Sequence, residues 1–304
     1  MREDEFLSEL LGCLDEAPEG QVWAGDDAAI VEGQVAVATD SLVEGVHFRL
    51  DWADPESVGY KALAVNLSDL AATGCLPTSC VVSVVVPPGG GETALAVLRG
   101  LRDAGRIWSC PLVGGDTCTG SCFVVSVAVT GRPAASAPLL RSGARPGDRL
   151  WLTGEVGGAS AVLRRLRSGE TPDPEETNRL NRPTPRLREG AVSAECGATA
   201  AIDVSDGLAL DLARLCRASE VGARIDSSRV PKAAAADWDD AFHGGEDYEL
   251  LLAAPPSVDL RHAFSTAGLD PPHLIGELTA EPDIVLVEKG SVRALDTRGY
   301  LHEL

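Results

Sequence analysis

The sequence is poor in aromatic residues and in lysine, and it lacks any long hydrophobic run. Aromatic side chains make up 4% of the 304 residues, and Lys61, Lys232 and Lys289 are the three lysines. No stretch approaches the ~20 apolar residues that a bilayer-spanning helix requires. Residues 1–6 are acidic, whereas the start of a secretory signal peptide is basic. These features predict a cytoplasmic protein with no membrane partner.

The sequence also lacks the short motifs that mark several common kinds of site. Its eight cysteines form no CxxC pair, and no histidine stands at zinc-site spacing from them. We therefore expect reduced thiols that pack as small hydrophobic side chains. The P-loop signature, a glycine-rich turn that ends in lysine and serine or threonine, is missing as well. A nucleotide site in this chain would have to use another design.

Positive charge is scarce: 26 lysines and arginines face 46 aspartates and glutamates, which gives a formal net charge of −20. An acidic surface of this kind repels the phosphates of nucleic acids and of anionic membranes. The composition therefore predicts no nucleic-acid partner. Part of the negative charge would be neutralised if several aspartates bound divalent cations.

What the sequence does contain is a series of aspartates in short turns rich in glycine and serine. The turns are GDDAA at 25–29, TDS at 39–41, NLSD at 66–69, GGDT at 114–117 and DVSDG at 203–207. Several follow directly on apolar runs, so that a strand would end in a carboxylate at the sheet edge. Carboxylate oxygens with no histidine or cysteine among them are hard ligands, which suit Mg²⁺ that bridges substrate phosphates. The pattern predicts a magnesium-dependent, phosphate-handling site.

Each turn also has a purely structural interpretation. A single aspartate beside glycine is more often a turn former or a helix N-cap than a metal ligand, and Asp206 before Gly207 fits that role. The glycine-rich turn at 154–158 resembles a phosphate loop, but such a turn before a helix is usually only a turn. The functional interpretation therefore depends on all five aspartate turns together.

Hydrophobic periodicity divides the chain into two halves that both mix strands with helices. We predict an α+β fold, with an N-terminal α/β domain at 1–135 and a C-terminal α+β domain at 136–304. The polar, proline-rich residues 168–185 are expected to form an exposed loop. In the first domain, helices are expected near 4–16, 55–73 and 91–106, and strands near 34–39, 80–87 and 121–130.

Seven segments resemble, in the same order, motifs of the thiamine-monophosphate kinase family. They are GDDAA (25–29), TDSLVEGVHF (39–48), KALAVNLSDLAA (61–72), GGDT (114–117), RSGARPGD (141–148), IDVSDGL (202–208) and GGEDYEL (244–250). The resemblance covers nearly the whole chain, from about residue 20 to residue 300. It implies the two-domain fold of the wider aminoimidazole ribonucleotide synthetase-like superfamily, with N-terminal sheets that pair into a barrel across a homodimer.

The resemblance also implies an activity, the ATP-dependent phosphorylation of thiamine monophosphate to thiamine diphosphate with several Mg²⁺ ions. The residues that match Mg²⁺ ligands of the family are Asp27, Thr39, Asp40, Asp69, Asp116, Asp203 and Asp206. Asp69, Asp116 and Asp206 are expected to be catalytic. The residues that match ATP contacts are Gly115, Asp116, Arg141 and Ser205, and those that match substrate contacts are His47, Glu246 and Tyr300.

The residues themselves fit a phosphate as the acceptor. A phosphate monoester, with a second pKa of about 6, is largely dianionic at neutral pH, and none of the five histidines lies in a constellation typical of a general base. Glu246 and Tyr300 suit a cationic, planar thiazolium–pyrimidine ligand through charge attraction and ring stacking. Two alternatives stay open, namely another ATPase or synthetase of the same superfamily and a non-catalytic nucleotide- or metal-binding regulator.

Overall fold

The computed structural model describes residues 6, 9–11 and 13–302. It contains two mixed β-sheets, one from each half of the chain, with helices packed against them. The helix predicted over residues 4–16 lies partly outside the described residues. Within the described ranges, no helix combines the length and the apolar character needed to cross a membrane.

The first half forms a five-stranded sheet. Its elements are β1 (Ala29–Val31), β2 (Val35–Val43), α1 (Pro55–Ala72), β3 (Cys75–Val86), α2 (Gly91–Ile107), β4 (Leu112–Thr119) and β5 (Val124–Pro133). The strand order is β1-β2-β5-β3-β4, and neighbouring strands are antiparallel except β3 and β4, which are parallel. Strand β4 therefore forms an edge of the sheet.

The strands predicted near 34–39, 80–87 and 121–130 are confirmed as β2, β3 and β5. The sequence patterns miss β1, which has three residues, and β4. Strand β4 contains two glycines and is exposed from Val113 to its end, so it shows neither strand propensity nor hydrophobic alternation. Its pairing with β3 is what keeps it extended.

The second half forms a seven-stranded sheet in the order β12-β11-β8-β10-β6-β9-β7, where only β8 and β11 are parallel neighbours. Its strands are β6 (Arg149–Leu152), β7 (Ala200–Val204), β8 (Gly222–Asp226), β9 (Glu249–Ala254), β10 (His273–Thr279), β11 (Ile284–Glu288) and β12 (Ser291–Ala294). Its helices are α3 (Gly158–Arg167), α4 (Pro174–Asn181), α5 (Leu187–Cys196), α6 (Leu208–Ser219), α7 (Trp238–His243) and α8 (Leu260–Thr266).

Helix α4 contradicts the loop predicted over 168–185. Asp173 and Glu176 form a capping box at its start, with Pro174 in the first turn. Leu180 is buried, and the Asn181 side chain donates a hydrogen bond to the carbonyl of Trp52 at 2.9 Å. The polar composition of the segment gives no hydrophobic pattern that would predict this helix. The helix is stabilised by its N-terminal cap and by its buried last turn.

Helix α1 lies between the two sheets and positions the site. It packs on β2, β3 and β5 of the first sheet and on β7 and β9 of the second. Fourteen of its 18 residues are buried, as in a helix that is covered on all sides. A Cβ atom at Gly59 would come within 1.8 Å of the Val97 carbonyl oxygen, so this glycine allows α1 and α2 to cross in close contact.

All strands of the first sheet precede residue 136, and all strands of the second follow it. The hydrophobic core around α1 nevertheless extends to Trp151, Leu250 and Phe264 of the second half. The two halves therefore share buried surface, and their division into domains at 1–135 and 136–304 stays a prediction.

Candidate active site

Three carboxylates from distant parts of the sequence meet beside α1. One oxygen from each of Asp27, Asp69 and Asp203 lies within 4.8 Å of the other two. Asp27 stands in the turn before β1, Asp69 near the end of α1, and Asp203 in β7. Sequence analysis predicts all three as magnesium ligands, and the structure brings them together as one carboxylate cluster.

The electrostatics of the carboxylate cluster favour a bound cation. Burial raises the pKa of Asp69 well above its ordinary value, and repulsion from neighbouring aspartates, Asp40 first, raises it further. Burial also raises the pKa of Asp203, and repulsion from Asp27 adds to the shift. A divalent cation among these oxygens would offset both the burial cost and the repulsion.

Two polar neighbours hold the carboxylate cluster in place. The Arg141 guanidinium donates to both carboxylate oxygens of Asp27, at 2.6 and 3.2 Å. The backbone N–H of Arg141 donates to the Asp26 carboxylate. The Ser68 hydroxyl donates to Asp203 at 2.6 Å. Arg141, predicted as an ATP contact, therefore lies at the carboxylate cluster and pairs with one of its members.

Asp40 lies in β2 on the side of the carboxylate cluster. Its backbone N–H donates to the side chain of Asn66 in α1 at 2.8 Å. Burial, followed by repulsion from Asp206, raises the pKa of Asp40 to about 6. Neighbouring strand residues point to opposite faces, and the Thr39 hydroxyl donates to the Val127 carbonyl of β5 instead. The structure does not bring the Thr39 hydroxyl to the cluster, and its role as a ligand stays a prediction.

Asp206 is held by residues that sequence analysis misses. Arg214 donates to Asp206 at 2.5 Å and to Asp211 at 2.8 Å. Asp211 is fully buried and accepts the backbone N–H groups of Asp206 and Gly207. Asp211 and Arg214 stand three residues apart on α6, and this helical spacing is the signal that could have found them.

Asp116 lies apart from these contacts. It is exposed on the edge strand β4 and pairs in register with Ser83 of β3. No contact among the described residues joins Asp116 to the carboxylate cluster. A Cβ atom at Gly115 would come within 2.1 Å of the Val82 carbonyl oxygen, so the strand pairing requires glycine there. The roles of Gly115 and Asp116 at ATP and metal stay predictions.

Separately from the carboxylate cluster, a buried lysine joins two of the predicted substrate contacts. Lys61 of α1 has a side chain 2% exposed, and its ammonium lies 2.5 Å from a carboxylate oxygen of Glu246. The same ammonium donates to the backbone carbonyl of His47 at 3.2 Å. Sequence analysis does not predict this role for Lys61, because the contact depends on how the two halves pack.

The protonation state of His47 follows from its backbone contact. The N–H of Val43 donates to His47 Nδ1 at 3.1 Å, so Nδ1 carries no proton and the ring is neutral with its hydrogen on Nε2. Burial lowers the pKa of His47, in agreement with that form. His47 is therefore a hydrogen-bond donor through Nε2 rather than a base at that atom.

The C-terminal segment returns to the same region. The backbone N–H of Tyr300 donates to the Asp206 carbonyl at 2.9 Å. The ring of His302 lies 5.0 Å from that of Tyr300 and 5.3 Å from that of His47. Tyr300, a predicted substrate contact, is thus tied to a predicted metal-binding turn, and His302 joins the site without having been predicted.

A cavity of about 250 Å³ lies beside His47 and Glu246. The loop at 45–52 forms one wall, and residues of α3 and α4 form the other. Trp52, Leu163 and Leu180 contribute apolar surface, and Arg49, Arg167 and Asn181 add polar groups to those of His47 and Glu246. Apolar walls with a few polar groups are typical of a small-molecule site. Helix α4, absent from the predicted elements, thus supplies part of this cavity.

The glycine-rich turn at 154–158 is not a free anion site. The carboxylate of Asp247 accepts the backbone N–H groups of Gly157 and Gly158 at 2.7 and 3.1 Å, at the N-terminus of α3. Burial raises the pKa of Asp247 to about 8. An internal carboxylate occupies the position that a phosphate would take in a phosphate loop.

Each half of the chain matches the model of a known protein family. The family model described as AIR synthase related protein, N-terminal domain, matches residues 25–132, and the corresponding C-terminal domain model matches residues 145–289. The thiamine-monophosphate kinase of Escherichia coli strain K12 is 35% identical over 302 residues, which cover 91% of this chain and 90% of that protein.

Solved structures support the same fold. AaThiL complexed with AMPPCP and TMP superposes with a TM-score of 0.84 and 28% identity, over 99% of this chain and 96% of that chain. The hydrogenase maturation protein HypE of E. coli superposes with a TM-score of 0.72 over 88% of this chain and 87% of that chain. HypE is 20% identical, so its likeness shows the shared fold alone. The predicted two-domain superfamily fold is confirmed, whereas the barrel across a dimer stays a prediction.

Proposed function

Because the chain belongs to the thiamine-monophosphate kinase family, we propose that it transfers the γ-phosphoryl group of ATP directly to the phosphate of thiamine monophosphate. The products are thiamine diphosphate and ADP. One observation carries the proposal: helix α1 connects the carboxylate cluster with the cavity, because it contributes Asp69 to the cluster and Lys61 to the ion pair with Glu246, which lines the cavity. The arrangement offers one place for phosphate groups and another for an organic ring system.

The donor set of the carboxylate cluster fits Mg²⁺. It consists of oxygen atoms only, and the raised pKa values of Asp69 and Asp203 mean that their ionisation is disfavoured without a cation. We infer that Asp27, Asp69 and Asp203 hold Mg²⁺, with Asp40 and Asp206 as neighbouring ligands for further ions. When bound, Mg²⁺ would stabilise the negative charge of the transferring group.

The chain's own residues bind and orient the two substrates. Arg141, paired with Asp27, lies where it can exchange that carboxylate for an ATP phosphate, and Ser205 adjoins Asp203. On the acceptor side, His47 presents a neutral imidazole with a proton on Nε2. A dianionic phosphate acceptor needs no proton removed before it attacks, so this neutral donor fits orientation rather than base catalysis.

The first test is an ADP-release assay with purified protein, ATP and Mg²⁺. We expect rapid ADP release and stoichiometric thiamine diphosphate with thiamine monophosphate, and only background release with thiamine or without an acceptor. ADP release that does not depend on thiamine monophosphate would favour another ATPase of the superfamily. Nucleotide binding without release under any of these conditions would favour a regulator.

We also propose a homodimer built on the first sheet. The edge strand β4 exposes its backbone, and Val81 of β3 and Val113 of β4 are 44% and 64% exposed. An exposed apolar edge of this kind is normally covered, and a second copy of the chain would cover it symmetrically. The cytoplasmic localisation predicted from composition stays a prediction.

Light scattering at micromolar concentration is expected to give twice the mass of the chain. Val113→Glu should raise the dimer dissociation constant by at least about tenfold, because it places a charge in the buried interface. Val292→Glu is the matched control, since Val292 is 55% exposed on the edge strand β12 of the other sheet. A monomeric wild-type protein, or equal effects of the two variants, would refute this interface.

A further inference from the structure

The C-terminal segment at 296–302 is seated on the turn that carries Asp206. Besides the bond from Tyr300 to the Asp206 carbonyl, the carbonyl of Arg298 lies 3.1 Å from Nδ1 of His243. A Cβ atom at Gly299 would come within 2.6 Å of the Asp206 carbonyl oxygen, so a glycine is needed for the segment to approach this closely. These contacts fix the position of the segment up to residue 302.

The seated segment places His302 at the boundary between the cavity and the carboxylate cluster. On one side its ring lies 5.3 Å from that of His47, which lines the cavity. On the other side it is close enough to Asp40 to act on the charge of that carboxylate. The two histidines stand 255 positions apart in the sequence, and only the seating of the C-terminal segment brings them together.

The acceptor phosphate has to occupy this same boundary. On the proposed function, the organic rings occupy the cavity, and the phosphate that is attacked must lie toward the carboxylate cluster. Asp40, Asp206 and Glu246 surround the boundary with carboxylates, which repel a phosphate. Lys61 is already engaged by Glu246 and by the His47 carbonyl. The imidazoles of His47 and His302, whose rings lie 5.3 Å apart, are N–H donors at this boundary, whereas Arg49 and Arg167 are donors that line the cavity itself.

We propose that His302 is a further substrate-contact residue, which together with His47 binds the phosphate of thiamine monophosphate. The inference rests on the proposed function. The role is specific to the phosphate, so that the thiazolium and pyrimidine rings bind independently of His302. Tyr300, whose ring meets that of His302 edge-on at 86°, orients the imidazole.

Two substitutions separate hydrogen bonding from packing. His302→Gln keeps an N–H donor and loses the ring, whereas His302→Phe keeps the ring and loses both nitrogens. We expect the KM for thiamine monophosphate to rise at least about tenfold in His302→Phe and clearly less in His302→Gln. The KM for ATP should stay within about twofold of wild type in both variants. His273→Ala, at an exposed histidine of β10, is the matched control and should change neither constant.

Competition by thiamine, which lacks the phosphate, provides a second readout. The inhibition constant of thiamine should be unchanged in His302→Phe. The proposal is overturned if His302→Phe binds thiamine monophosphate like wild type, if His302→Gln is the weaker variant, or if thiamine and thiamine monophosphate weaken equally. A wild-type protein that does not phosphorylate thiamine monophosphate would instead overturn the proposed function itself, and this inference with it.

Discussion

Asp69→Asn is expected to abolish phosphoryl transfer while the fold stays intact. Asp69 has three aspartates near it, since the charges of Asp40, Asp203 and Asp27 all raise its pKa. We therefore expect it to contact more than one Mg²⁺ ion. Loss of such a charge-stabilising contact in a buried site costs on the order of a thousandfold in turnover.

The same substitution is expected to stabilise the metal-free protein. The pKa of Asp69 is raised in the folded state, so its ionised form is disfavoured by folding. This cost to folding stability is absent below the ordinary pKa of 3.8. It grows as the pH rises from that value to the folded-state pKa, and it is complete above the folded-state pKa. Asparagine does not titrate. Metal-free Asp69→Asn should therefore lose less stability than wild type between pH 5 and pH 8.

Thermal unfolding with and without Mg²⁺ checks both expectations. At a hundredfold excess over its dissociation constant, Mg²⁺ should stabilise wild type by about 2.7 kcal/mol, and Asp69→Asn should lose most of that gain. Asp103→Asn is the matched control, because Asp103 is exposed and pairs with Arg102 and Arg106 on the surface of α2. Near wild-type turnover of Asp69→Asn, or stabilisation by Mg²⁺ equal to that of wild type, would refute the assignment of Asp69 to the metal site.

The three aspartates of the carboxylate cluster could be predicted as ligands because each lies at or near the boundary of a local element: Asp27 in the turn before β1, Asp69 near the end of α1 and Asp203 near the end of β7. Positions of this kind are placed by short-range structure that the sequence encodes directly. Helix α1 and strands β2, β3 and β5 were likewise predictable from apolar runs. Strand β4 was not, since its extended form comes from the neighbouring strand rather than from its own residues.

The contacts that complete the site could not be predicted, because they join residues far apart in the chain. The ion pair of Lys61 with Glu246 spans 185 positions, and its two partners come from different halves. Helix α1 is buried on all sides, so its periodicity does not reveal which face Lys61 occupies. The contact of His302 with His47 depends in the same way on where the C-terminal segment is seated.

The pairing with Lys61 changes the role expected of Glu246. Sequence analysis assigns Glu246 a free negative charge that attracts the cationic thiazolium ring. In the structure, Lys61 offsets that charge, and the Glu246 side chain keeps 24% of its surface exposed toward the cavity. We therefore expect Glu246 to act through a positioned carboxylate within an ion pair, and Lys61 to act as the residue that positions it.

A double-mutant cycle on this pair is expected to separate stability from substrate binding. Lys61→Met should lower the free energy of unfolding by about 3 kcal/mol, because it leaves the Glu246 carboxylate without its buried partner. Glu246→Gln should raise the KM for thiamine monophosphate more than tenfold, which is about 1.4 kcal/mol or more of lost binding. Tyr300→Ala should resemble Glu246→Gln, and the KM for ATP should stay near wild type throughout.

The double variant Lys61→Met/Glu246→Gln decides between a structural pair and a substrate site. Removal of both charges should restore part of the stability lost in Lys61→Met, since no buried charge is then left unpaired. The KM for thiamine monophosphate should stay raised, because the carboxylate that meets the substrate is still missing. Lys289→Met, at an exposed lysine, is the control for the loss of a lysine charge. If the double variant regains the wild-type KM, the Glu246 carboxylate serves only the fold. If Glu246→Gln and Tyr300→Ala raise the KM for ATP instead, these residues contact ATP and the acceptor binds elsewhere.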